Sequence, residues 1–307
     1  MKLFLYFLLI FVTKISSFPV NDDRIIFRDD DVRVDDSVDD IRFDQLRLLT
    51  DSNLLKSDNA SKEFLFDERA QQRLENGQFY QGDIILQQDQ LDILKYPDDD
   101  DPFGTRTGVL SENYRWPKNS KGKVIVPYEF SSEYTFRDRI SMYLGMYDLE
   151  KYTCVQFKSR DNEEDYLFIK SGKGCSSNLG KLGGKQTVSL QQKGCLSRGT
   201  IIHELIHALG YDHMHSHSDR DKYVDVVWDN IDRKSFTNFE TVSAKKFSNF
   251  GTDYDFYSVM HYSPTAFSKN GKRTIIPKNS KYRNVIGQRI GLSVGDAQRI
   301  KNMYKCQ

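Results

Sequence analysis

Residues 200–213 read Thr200-Ile201-Ile202-His203-Glu204-Leu205-Ile206-His207-Ala208-Leu209-Gly210-Tyr211-Asp212-His213. Ile201, Ile202, Leu205, Ile206 and Leu209 recur at helical spacing, which predicts a helix over the first part of the stretch. On a helix His203 and His207 lie one turn apart on one face, so their imidazoles can converge on one ion. Glu204 projects to the side, within reach of a water at that ion but poorly placed to ligate it. Gly210 permits a sharp bend out of the helix. That bend brings His213 in as a third ligand. Three nitrogen ligands with an open fourth position describe a catalytic zinc, whereas structural zinc sites are closed by four protein ligands. Composition alone yields HExxH in on the order of 0.5% of such chains, and the added Gly and third His lower this to roughly 1 in 10⁵. Histidines that merely satisfy a helix face do not explain this register.

Further along stands Tyr254-Asp255-Phe256-Tyr257-Ser258-Val259-Met260-His261-Tyr262. With this segment the chain resembles the metzincins, whose HExxHxxGxxH signature is followed by a methionine-containing turn. The form Ser258-x-Met260-His261-Tyr262 is that of the astacin family. The resemblance runs from about Phe79 to the C-terminus. It takes in the cysteine placement, the stretch Gly183 to Leu190, and Asp219-Arg220-Asp221. It is specific to family, unspecific to substrate, and looks most like a short nematode-type astacin.

The resemblance implies an α+β fold. It would be a two-lobed metzincin domain, with a mixed twisted sheet and the zinc-binding helix in the N-terminal lobe and an irregular C-terminal lobe. One zinc would be held by His203, His207 and His213, with Glu204 as general base for a water at the metal. Tyr262 would be a further zinc ligand at rest that swings away to hydrogen-bond the developing oxyanion. Met260 would form an apolar floor beneath the site. Phe79-x-x-Gly82-Asp83 resembles the family's latency motif, in which the aspartate takes the zinc position meant for water. The family's spacing to Trp116 puts the mature start at Thr107, after Arg106, where a trypsin-like protease would cut.

Composition agrees with such a layout. The 307 residues carry 44 basic and 44 acidic side chains, but the balance is uneven. Up to Arg106 there are 23 acidic and 13 basic residues, and from Thr107 onward 21 and 31. The basic excess has no dense Lys/Arg block, which argues against a nucleic-acid partner. Lys2, the apolar run Leu3 to Val12 and the small residues to Ser17 fit a secretory signal over 1–17, too short for a membrane span. No other stretch is apolar enough to serve as a membrane anchor, so the mature protein is expected to be soluble and secreted. Residues 18–106 read as a pro-segment: aspartate-rich over Asp22–Asp44, an amphipathic helix over Ser61–Glu75, and a glycosylation sequon at Asn59. Residues 107–307 form the catalytic domain. Its four cysteines allow three connectivities, and sequence separation suggests Cys175 with Cys195 and Cys154 with Cys306. A zinc site of four thiolates is disfavoured because no C-x-x-C pair exists.

Within that domain Val124–Phe130 reads as a strand, with Pro127 suggesting an edge or a strand end. Phe136–Leu149 reads as a helix, Val155–Phe157 and Tyr166–Lys170 as strands, and Gly183-Gly184 as a turn feeding another strand. This mixture is α+β on its own terms. Two positions depart from the family. Met214 stands where astacins usually carry the glutamate that helps hold the mature N-terminus, and His217 replaces the usual arginine. His215 and His217 alternate with His213, but a solvated loop explains them better than a second metal. Arg289, Arg283 and Lys281 are candidates for reading an acidic residue after the scissile bond.

The expected function is a secreted zinc endopeptidase acting on proteins or peptides and made as a latent zymogen. The alternative is a secreted zinc-binding protein that engages protein partners without hydrolysis, and the intact Glu204 favours the enzyme. The opposed charges of the two parts suggest electrostatic docking of the pro-segment. Inhibition of the mature domain by the added segment should therefore weaken as salt is raised; unchanged inhibition would refute the idea.

Overall fold

Residues 79–87, 90, 112–242 and 248–307 are described in the structure, a computed structural model. The leader at 1–17, Asn59, the helix expected over Ser61–Glu75 and the Arg106–Thr107 bond lie outside the described residues. The strands are β1 (Ile84–Ile85), β2 (Val124–Phe130), β3 (Val155–Ser159), β4 (Tyr166–Lys170), β5 (Cys175–Asn178), β6 (Lys185–Leu190), β7 (Val224–Val226) and β8 (Ile275–Pro277). The helices are α1 (Phe136–Tyr152), α2 (Arg198–Ala208) and α3 (Val294–Met303).

Six strands form one mixed sheet in the order β1-β5-β6-β4-β2-β3, parallel throughout except for the antiparallel pair β5–β6. Strand β2 is interior, not an edge as Pro127 suggested. The ladders on its two sides are staggered: β3 pairs with Val124–Tyr128, whereas β4 pairs only with Tyr128–Phe130. Ile125, of the same parity as Pro127, sends its N–H to Pro117 O at 3.0 Å, outside the β3 ladder. The missing N–H of Pro127 falls on that same side, just before the β4 ladder begins.

Helix α1 starts on a capping box in which Thr135 and Asp138 exchange hydrogen bonds. It crosses α2 closely at Gly145, where a Cβ would stand 2.6 Å from Ile201 Cγ2. The two helices, the sheet, the turn at Val259-Met260 and α3 share one apolar core. A second core lies in the C-terminal lobe around Ile231, Phe239, Tyr262 and Ile275. That lobe contributes the two-stranded antiparallel sheet of β7 and β8 and several 3₁₀ turns, then returns α3 to the first core. Both expected disulfides are present, Cys154–Cys306 and Cys175–Cys195, with Cα separations of 5.5 and 5.6 Å.

A charged pair ties α1 to the start of α2. Arg198 Nε and Nη2 donate to the two carboxylate oxygens of Asp148, which is fully buried. Arg198→Met should lower stability by about 3–5 kcal/mol, because it withdraws the counter-charge of a buried carboxylate. Urea unfolding checks this, and replacing both residues by apolar ones should recover most of the loss.

Candidate metal centre and active site

Helix α2 is buried from Gly199 to Ala208, so its polar side chains need partners inside the protein. It ends in a Schellman turn: Gly210 N–H donates to His207 O and Tyr211 N–H to Ile206 O, with Gly210 at φ +104°. A side chain at Gly210 would be strained there, so the sharp exit rests on this residue. Three residues on, His213 faces the two helical histidines, with ring centroids 5.2 Å from His203 and 4.7 Å from His207.

The Nδ1 atoms fix how the rings present themselves. Nδ1–H of His203 donates to Val259 O at 2.8 Å and that of His207 to Tyr211 O at 2.6 Å. In the tautomer with the proton on Nδ1, each ring turns its Nε2 lone pair inward, and the two Nε2 atoms stand only 3.1 Å apart. His213 Nδ1 meets Gln81 Oε1 at 2.8 Å, which leaves its Nε2 facing the same point. The fourth member is Asp83, whose carboxylate oxygens lie 3.2, 3.6 and 3.3 Å from the Nε2 atoms of His203, His207 and His213. Lone pairs so close repel unless a cation lies among them. Donors on a tetrahedral zinc at 2.0–2.2 Å would stand about 3.3–3.6 Å from one another, so the set fits zinc. Asp83 Oδ1 is buried without a hydrogen-bond partner, as expected of a metal-facing oxygen. These four residues are the one such group among the described residues.

Glu204 is 1% exposed and its Oε2 has no hydrogen-bond partner. Burial, then the nearby Asp83 carboxylate, pushes it well above the usual carboxylate range, and Arg289 partly offsets this. Tyr262 gives its hydroxyl to the Gln81 carbonyl. Its ring stacks on His215 at 3.6 Å and meets His213 edge-on at 4.6 Å. Met260 is fully buried, and its carbonyl accepts the Met214 N–H at 2.9 Å. The turn around it is held from α3. Asp296 accepts from Ser258 Oγ (2.6 Å) and Val259 N (2.9 Å), and Arg299 pairs with Asp296 while donating to Ser258 Oγ. This turn carries the Val259 carbonyl, so α3 indirectly orients His203.

Asp83 arrives on an added strand. Strand β1 pairs with β5 at the sheet edge, and Ser177 N–H donates to Asp83 O at 3.0 Å. The family-departing Met214 is buried, with its sulfur 3.9 Å from Arg299 Nη1. His215 donates Nε2–H to Asn238 O, and His217 Nδ1 accepts from Asp219 N, so neither joins a second metal cluster among the described residues. Of the three specificity candidates, Arg289 interacts electrostatically with Asp83, Glu204 and Tyr262, while its Nη1 donates to His261 O. Lys281 lies over the Tyr282 ring, and Arg283 offers its carbonyl to Arg273. Sequence reasoning missed Gln81 and Asp212, and its solvated-loop reading fails for His215, which is fully buried against the Tyr262 ring. Only Asp212 carried a signal, as the carboxylate beside a ligand.

Comparison with known proteins returns one family model, the Astacin peptidase family, matching residues 109–305. Zinc metalloproteinase nas-4 of Caenorhabditis elegans is 39% identical over 232 residues, covering 75% of this chain and 70% of that protein. The astacin-like metalloendopeptidase of Gallus gallus is 42% identical over 209 residues, covering 67% of this chain and half of that protein. Among solved structures, high choriolytic enzyme 1, a hatching enzyme zinc-protease of Oryzias latipes, superposes with a TM-score of 0.61 at 40% identity. The match covers 64% of this chain and 97% of that one.

His261 supports the turn from its far side as a neutral ring, giving Nδ1–H to Tyr262 O (2.8 Å) and accepting from Tyr254 OH (2.7 Å). Burial pushes it down to about 4. A histidine depressed on folding contributes stability that is complete above its unfolded pKa of about 6.5 and is lost as pH falls towards 4. Between pH 7.5 and 5.0 that loss is about 2 kcal/mol. In zinc-free protein the acid-induced fall in urea stability should be smaller by roughly that amount in His261→Gln; an equal fall would contradict it.

Proposed function

The chain belongs to the astacin family of zinc metalloendopeptidases, and on that premise we propose that it is a secreted enzyme held latent by Asp83 until a cut after Arg106. The observation that carries the proposal is the set of three inward Nε2 atoms with the Asp83 carboxylate against them. Export is supported by the basic and apolar leader and by two disulfides.

His203, His207 and His213 would hold the zinc of the working enzyme, and Asp83 would join them only in the latent form. When bound, zinc polarises the peptide carbonyl and lowers the pKa of water towards about 7. Withdrawal of the pro-segment opens the place that Asp83 fills to water and substrate. Glu204 Oε2 takes a proton from the attacking water as its oxygen bonds to the carbonyl carbon. It returns that proton to the nitrogen as the C–N bond breaks. Burial, which raises the affinity of this carboxylate for a proton, suits it to that exchange. Tyr262, no longer bound to the Gln81 carbonyl, can donate its hydroxyl to the oxyanion. Arg289 is the side chain best placed to read an acidic residue of a protein or peptide substrate.

The full chain and its trypsin-cut product, each as wild type, Glu204→Ala and Asp83→Ala, test the reading on a protein substrate. Cut wild type should hydrolyse it, and Glu204→Ala should lower kcat by about 10²–10⁴-fold. Asp83→Ala should make the uncut chain active. Equal activity in wild type and Glu204→Ala would sink the mechanism, and no activity in any form would favour the zinc-binding alternative.

A further inference from the structure

Behind each ligating histidine stands a carbonyl oxygen, and these three partners are not alike. Those of His203 and His207 are the backbone carbonyls of Val259 and Tyr211, permanent parts of the domain. That of His213 is the side-chain amide oxygen of Gln81, which lies in the segment read as removable. Such outer partners fix the tautomer and orientation of a ligating imidazole and raise its basicity.

Gln81 is 1% exposed and adopts φ +49°, a left-handed conformation that a glutamine takes up only when its surroundings require it. Its amide nitrogen donates to Tyr80 OH at 3.0 Å and to Asp212 Oδ2 at 3.3 Å. The amide therefore bridges Asp212 and His213. Asp212 Oδ1, held by the His213 backbone N–H at 2.6 Å, is 3.7 Å from the same Nδ1 that Gln81 engages. That is just beyond a hydrogen bond, on a residue 8% exposed and adjacent in sequence.

We propose that Gln81 is a positioning residue for the third zinc ligand, completing its outer shell in the latent chain, and that loss of the segment hands His213 Nδ1–H to Asp212. This rests on the latency reading above. Activation then does more than clear the place held by Asp83: it exchanges an amide for a carboxylate behind one zinc ligand. The nitrogen keeps a partner in both states, so the ring does not turn away when the segment leaves.

The test is zinc release to an excess of chelator, followed in the zinc-loaded full chain and in its cut form. Gln81→Leu should speed release from the uncut chain by about 10–100-fold, the usual cost of losing an outer partner, while leaving that chain inactive. Asp212→Asn should speed release from the cut form by a similar factor and change the uncut form much less. Wild-type release rates in uncut Gln81→Leu or in cut Asp212→Asn would overturn the proposal. So would faster release from Gln81→Leu that comes only with peptidase activity in the uncut chain, as in Asp83→Ala, because Gln81 would then merely hold the latch shut. An uncut wild-type chain that already cleaves protein would remove the latency reading itself, and the proposal with it.

Discussion

A polar group taken out of water must find a partner inside the protein, and α2 places three of them in the core. His203, Glu204 and His207 lie on a helix with no exposed face. His203 and His207 each give one ring nitrogen to a carbonyl and turn the other to the place where a shared ion would lie. Glu204 keeps one oxygen without a partner, and that oxygen is the one the chemistry can use. Much of the surrounding architecture answers this single demand. Gly210 turns the chain so that Tyr211 O reaches His207, and α3 holds the turn that offers Val259 O to His203.

Specific charged links brace the elements around this site. Arg198 and Asp148 fasten the start of α2 to α1, while Asp296 and Arg299 fasten the methionine turn to α3. Tyr262 belongs to the second core, yet its ring leans on His213 of the zinc set. The tyrosine therefore sits at the hinge between the aromatic packing of one lobe and the ligands of the other. Its contact with His215, itself tied to Asn238 O, belongs to packing in which both rings also meet Phe239 edge-on.

What was legible in the sequence was what is local. The zinc helix and its bend could be read because apolar spacing, histidine spacing and one glycine act within fourteen residues. Strand β5 was not read: Cys175-Ser176-Ser177-Asn178 is polar and buried on both faces, so it lacks the alternation that marks a half-buried strand. Helix α3 was missed because only Ala297, Ile300 and Met303 supply its apolar stripe, although Ser293 and Asp296 form a readable capping box. Pro127 misled because the rule concerns ladders, and two ladders need not start at the same residue. The part played by Gln81 could not be read at all, since its partner His213 lies 132 residues away.

The Cys154–Cys306 bridge closes a covalent ring of chain with a sequence separation of 152. Inside the ring lie His203, Glu204, His207, His213, Met260 and Tyr262; outside it lie Gln81 and Asp83. Any single backbone cut within the ring leaves both pieces tethered, whereas one cut between Ile85 and Cys154 detaches the aspartate and glutamine that obstruct the site. The same bridge sorts chain breaks by their effect. One backbone break cannot cast off any of the residues inside the ring, and the only members of the cluster that one can cast off are Gln81 and Asp83.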